Sequence, residues 1–220
     1  MELPAITVAV PTLSPTPTAA PTPSDSPTPT PSPSPVSQAW TDWTFAGATM
    51  SVPKLGIAQA AITELQPNEL VQKTYVNDAG EEGVYTAIDP AGKQTITWDT
   101  RVVDGVRYPV GSALTASAAN TVYLYCHDYS DDSAICSTIY DVLVPGDTLV
   151  VETPTEVLTY TVQESFSLRK GELPNDARIT AVGAGRLVVI TCNSGGERNA
   201  DGETMQNSAI VFQLTSASAK

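Results

Sequence analysis

The chain has 220 residues, 41% of them hydrophobic and 16% charged, enough for one sizeable core and hardly for two. Eleven Lys and Arg against 24 Asp and Glu give a formal charge of -13, the wrong sign for a surface that tracks phosphates, so nucleic-acid binding is all but excluded. No stretch approaches the about 18 consecutive apolar residues of a membrane span, and Met1-Glu2-Leu3-Pro4 lacks the basic start and apolar run of a signal peptide; the expectation is an anchor removed or one that never existed.

Eleven of the 18 prolines fall in the first 36 residues. From Pro11 to Pro35 they alternate with Thr, Ser and Ala around a single charge, Asp25, leaving no apolar face to bury. Fixed proline φ angles bias such a run toward polyproline II, a semi-rigid spacer reaching about 75 Å at roughly 3.1 Å per residue. Residues 1–38 are therefore read as a disordered Pro/Thr/Ser-rich spacer and 39–220 as the folded domain. Trp40, Trp43 and Phe45, where tail meets domain, are expected to pack on it.

From Ala39 onward short runs rich in Val, Ile, Thr and Tyr alternate with Gly, Pro, Asn and Asp, a β pattern. Strands are predicted near Thr44 to Val52, Gly83 to Ala87, Thr121 to Cys126, Thr148 to Thr153, Val157 to Phe166, Arg186 to Cys192 and Ala209 to Leu214. Helical turns are predicted only near Asn68 to Lys73 and at Ile135 to Leu143, where Ile135, Ile139 and Leu143 recur every four residues. The set fits a closed barrel or a sandwich.

Two of these strands end in reactive side chains. His127, the chain's one histidine, follows Thr121-Val122-Tyr123-Leu124-Tyr125-Cys126. Alternation puts Val122, Leu124 and Cys126 on one face and Tyr123, Tyr125 and His127 on the other, so Cys126 points away from the imidazole. Cys192 ends Leu187-Val188-Val189-Ile190-Thr191 and is followed by Asn193-Ser194-Gly195-Gly196, a thiol at a strand mouth. A cysteine nucleophile needs a base nearby and a donor for the oxyanion formed on acyl attack. Arg198, the one arginine after Cys192, suits the second task because its guanidinium keeps its proton. Papain-like enzymes run Cys then His, the reverse of the order here. Cys126 and Cys136, ten residues apart, are placed either to close a small loop in an oxidising compartment or to stay reduced and buried, leaving Cys192 unpaired in both cases.

Four segments resemble those of the sortases, cysteine transpeptidases. Ser51-Val52-Pro53-Lys54-Leu55-Gly56-Ile57 is similar to their I-P-x-L-G-I opening. Asn120 to His127 resembles the G-N-x-V-L-x-G-H segment that delivers the histidine. Leu143-Val144-Pro145-Gly146-Asp147-Thr148-Leu149-Val150-Val151 is similar to L-x-x-G-D-x-V-x-V, and Leu187 to Cys192 resembles the L-x-L-x-T-C strand that carries the nucleophile. The match runs from about Ser51 to Leu214, with the layout leaning toward classes E and F.

The resemblance implies a mainly β fold, an eight-stranded barrel with short helices. It also implies an enzyme that cleaves a Leu-Pro-X-Thr-Gly-like sorting signal through a thioacyl intermediate and transfers it to an amine, a peptidoglycan stem or cross-bridge or a pilin lysine. Cys192 would attack the Thr carbonyl, His127 would move the protons, and Arg198 would hold the oxyanion. Thr191, Phe166, Leu168 and Leu173 would contact the peptide. No cofactor and no metal are implied, and a monomer on the outer face of the cell envelope is expected, with a soluble phage-encoded protein as the alternative. Two positions depart from the pattern: Cys126 stands where a glycine usually precedes the histidine, and Thr204-Met205-Gln206-Asn207-Ser208 lacks the arginine that usually opens the last strand.

The acidic groups Asp128, Asp131, Asp132, Glu81 and Glu82 match no calcium loop and read as a solvated rim. A competing reading of the whole chain is a non-catalytic β-barrel adhesion module on a Pro-rich stalk.

Overall fold

The computed structural model describes residues 47–76, 80–103, 106–199 and 202–220. The spacer and the aromatic residues Trp40, Trp43 and Phe45 lie outside them. Backbone contacts divide the chain into two units, Met1–Ala39 and Trp40–Lys220, and every described residue belongs to the second.

Eight strands close into a barrel in the order β1 (Thr49–Val52), β2 (Ile57–Glu64), β5 (Ile96–Trp98), β8 (Val122–Cys126), β11 (Arg186–Cys192), β12 (Gln206–Ala219), β10 (Glu156–Arg169) and β9 (Thr148–Glu152), with β9 pairing back to β1. Two hairpins stand outside it: β3 (Leu70–Val76) with β4 (Glu82–Ile88), and β6 (Thr100–Val103) with β7 (Val106–Pro109). Among the described residues helix is confined to the four-residue α1 (Ile139–Val142) and α2 (Ala177–Thr180) and to 3-10 turns such as Lys170–Asn175. Closure pairs every barrel strand on both sides and leaves no free sheet edge in the barrel.

The interior is filled by one face of each strand, including Met50, Leu124, Leu149, Leu158, Tyr160, Leu187, Val189 and Phe212. A second apolar cluster lies on the opposite face of β8, β11, β12 and β10, where Tyr123, Tyr125, Val188, Ile190, Ala209, Val211, Phe166 and Leu168 meet Leu173 and Ile179. β10 serves both clusters. Its pairing with β12 shifts between Val162 and Glu164, and the extra residue moves the apolar set of the strand from one face to the other: Val162 faces inward, Phe166 and Leu168 outward. The buried Arg186 guanidinium donates to the carbonyls of Arg178, Ile179 and Ala181, pinning the covering segment to the barrel.

Five strands carry no clear alternation in sequence. β5 is buried at all three positions, so period two disappears. β3 begins where a helical turn is predicted: Pro67–Glu69 forms a 3-10 turn, and Leu70 then continues as strand. β2, β6 and β7 are likewise additions to the sequence reading.

Candidate active site

β8 and β11 run parallel, with Val188 beside Tyr123 and Ile190 beside Tyr125. Two residues on, the same register brings Cys192 beside His127, both on the outer face by alternation. Across the other edge of β11, Cys192 pairs with Asn207 of β12, which pairs in turn with Leu168 of β10. One row across three strands thus reads Cys192, Asn207, Leu168, with His127 just past the end of β8 on the same side, and below this row lie Tyr125, Ile190, Ala209 and Phe166.

His127, Cys192 and Asn207 line a cleft of about 790 Å³, including its open mouth. Its walls are the end of β4 with Asp89 and Pro90, the start of the 170–175 turn with Lys170, Leu173 and Pro174, and Arg101 of β6. Cys192 is half-buried and has no disulfide partner.

The imidazole is held in one orientation. Its Nε2 lies 2.7 Å from the Pro90 carbonyl, and a carbonyl only accepts, so Nε2 carries the ring proton and the neutral ring keeps its lone pair at Nδ1. Asp89 Oδ1 stands 3.8 Å from the same nitrogen. The Pro90 turn is fixed from beneath by the buried Glu69 carboxylate, which accepts from the Gln66 and Ala91 amides at 2.6 and 2.8 Å and from the Thr97 hydroxyl at 3.1 Å.

Cys126 and Cys136 form a disulfide, which settles the choice left open by the sequence. Both are buried in the barrel core, and the Cys136 amide donates to the His127 carbonyl at 3.2 Å. The Cys126 side chain therefore points inward, and its sulfur is consumed in tying down the loop behind the histidine.

Arg198 is placed differently from the sequence expectation. It does not line the cleft; its Nη1 donates to the Gly202 carbonyl at 2.7 Å and its Nη2 to the Ser194 carbonyl at 2.9 Å, so the guanidinium is engaged in closing its own loop. Phe166 and Leu168, expected to touch a peptide, are 8% and 6% exposed and support the cleft from below, with the Arg178 guanidinium 3.7 Å over the Phe166 ring. Leu173 does line the cleft. Thr191 also borders it, but alternation turns its side chain inward and its hydroxyl is buried without a partner among the described residues.

Sequence alone does not point to Asn207, because only the β11–β12 register reveals that its amide stands across from the thiol. Arg101 escapes sequence reasoning for the same reason; its Nη2 lies 3.1 Å from the buried Asp99 carboxylate. Burial raises the Asp99 carboxyl from 3.8 to about 6, with Arg101 pulling the other way. Tyr85, at the cleft wall, is pushed up to about 12, first by burial and then by its nearness to Cys192. Among the described residues no three His, Cys, Asp or Glu side chains converge on a common point, and Asp131 is engaged with Ser133 and Lys93.

No family model and no curated protein matches the chain. Solved structures do. The chain is similar to Listeria monocytogenes sortase A, with 16% identity and a TM-score of 0.47 over 79% of this chain and 90% of that one. It is similar to sortase C-3 from Streptococcus pneumoniae, with 14% identity and a TM-score of 0.48 over 79% of this chain and 64% of that one. A structure of sortase E1 from Streptomyces coelicolor with a tripeptide in the active site gives 14% identity and a TM-score of 0.48, over 78% and 89% of the two chains.

Proposed function

We propose that the chain is a sortase-type cysteine transpeptidase of the class E or F kind. The observation that carries the reading is the convergence of the chain's one histidine and its one unpaired thiol at the ends of neighbouring parallel strands, in a single open cleft. In the proposed reaction the Cys192 thiol gives its proton to Nδ1 of His127 and the sulfur attacks the Thr carbonyl carbon of a Leu-Pro-X-Thr-Gly-like peptide. As the tetrahedral species collapses the Thr-Gly C–N bond breaks, and His127 gives its proton to the leaving Gly amine, forming a thioacyl enzyme. An incoming primary amine then loses a proton to His127 and attacks the thioester carbon, and the thiolate leaves. With Nε2–H engaged by Pro90, Nδ1 is the atom that carries these protons.

The oxyanion needs a donor close to the sulfur. The Asn207 amide, across from Cys192 in register, fits that need; Arg198 remains the second candidate and would first have to leave the carbonyls of Gly202 and Ser194. Leu173 with Pro174 at the cleft wall suits the apolar Leu-Pro end of the signal.

The envelope amines are the acceptors in this reading, and the 1–38 segment serves as a spacer. The buried Cys126–Cys136 disulfide supports an oxidising location outside the membrane.

The test is acyl transfer from a Leu-Pro-X-Thr-Gly peptide to a glycine peptide, followed by mass spectrometry. Cys192→Ala abolishes transfer and the thioacyl adduct, and His127→Ala lowers turnover by about 10²- to 10⁴-fold. Loss of a main oxyanion donor costs about 10²- to 10³-fold in kcat, expected for Asn207→Ala and not for Arg198→Ala. Turnover retained without Cys192 would end the proposal and leave the adhesion module.

A further inference from the structure

Cys192 ends β11 and His127 directly follows β8, each just beyond the last pair that the two strands make with one another, Ile190 with Tyr125. The side chain that joins the loops beyond them is Asp128. Its Oδ2 accepts the Ser194 amide at 2.8 Å, across 66 residues of sequence. Asp128 directly follows His127, and Ser194 lies two residues after Cys192, so the bond spans the two reactive groups.

The bond is shielded: Asp128 is 9% exposed, and its Oδ1 is buried without a hydrogen-bond partner among the described residues. A carboxylate placed so is costly unless its remaining bonds are well made. Its own side is firm, because Cys126–Cys136 closes the loop and the Ser137 hydroxyl accepts the Tyr129 amide at 3.0 Å. On the other side Asn193 is tied to β12 and β10, its amide donating to the Gln206 carbonyl at 3.0 Å and its Nδ2 to the Ser167 hydroxyl at 2.9 Å, and Ser194, whose carbonyl is taken by Arg198, is the residue bonded to the histidine loop before the chain turns through Gly195 and Gly196.

We propose that Asp128 is a positioning residue, a strap between the histidine loop and the nucleophile loop that sets the spacing of Cys192 and His127. The inference rests on the acyl-transfer reading and is tested so that the two fail separately. Misplacement of reacting groups by about 1 Å costs about 10²-fold. Asp128→Ala is expected to lower kcat by about that factor with KM within about twofold. Asp128→Asn, which keeps an oxygen for the Ser194 amide, is expected to restore kcat to within about fivefold of wild type. Asp128→Ser replaces the Ala variant if that one does not fold, and melting temperatures are compared throughout. An unchanged kcat, equal losses in the Ala and Asn variants, or a change in KM alone overturns the strap.

Should the wild type transfer no acyl group, the reading fails but the strap is still decided by alkylation of Cys192, the chain's one free thiol, with iodoacetamide at neutral pH. Asp128→Ala then reacts as slowly as His127→Ala, and Asp128→Asn as fast as wild type; equal rates in all four proteins overturn the inference.

Discussion

The ionisation of Asp99 is coupled to folding. Its carboxyl is raised from 3.8 to about 6 by burial, so the folded chain binds a proton more tightly than the unfolded one. The benefit is complete below the unfolded value and is lost as pH rises through about 6. Two pH units at about 1.4 kcal/mol each amount to about 3 kcal/mol. Urea unfolding at pH 4 and pH 7 should therefore show wild type losing about 3 kcal/mol more than Asp99→Asn over that interval. Glu69 contributes through hydrogen bonding, a buried carboxyl group with three donors. Glu69→Ala strands those donors and should lower stability by about 2 to 4 kcal/mol in the same assay. Of the site residues, His127 and Cys192 are legible in the sequence because each follows a strand of clean pattern. Asn207, Asp128, Pro90 and Glu69 are not, since what they contribute depends on register and on contacts across tens of residues, which no local spacing encodes.

Among the elements, the β3–β4 hairpin decides the shape of the cleft, since Tyr85 through Pro90 form one wall. It docks through Tyr75. A Cβ on Gly171 would lie 2.2 Å from the Tyr75 ring, and one on Gly83 would lie 2.5 Å from it; the ring fills both vacancies. Gly171→Ala must displace the ring, and KM for the peptide should rise about tenfold, about 1.4 kcal/mol of binding, while the unfolding midpoint changes little. The disulfide is the second element-scale contribution. Removing it with Cys126→Ala and Cys136→Ala frees a ten-residue separation and should cost about 2 to 3 kcal/mol by loop entropy. Strands are readable where one face is buried and the other is not, as in β8, with its alternating burial. They are unreadable where burial is uniform, as in β5, or where the partner supplies the reason for extension, as at the Ser- and Ala-rich end of β12, which pairs with β10 from Glu156 to Thr159.

At the scale of the molecule, the closed barrel presents His127 and Cys192, the proposed reactive pair, on an outer face, with the interior given to apolar packing. Deleting residues 1–38 should leave both the melting temperature and turnover of a soluble peptide unchanged, measured by circular dichroism and the transfer assay. The parallel neighbours β8 and β11 are separated by everything from His127 to Gly185, so their contact closes a long loop and forms late compared with hairpins. A ribosome-bound chain that has emerged as far as Cys192 already contains its imidazole and its sulfur, yet it lacks β12, the strand that seats β11 against β10. Under the proposed reading, such a nascent chain has no imidazole held beside its sulfur until β12 has emerged and the barrel shuts.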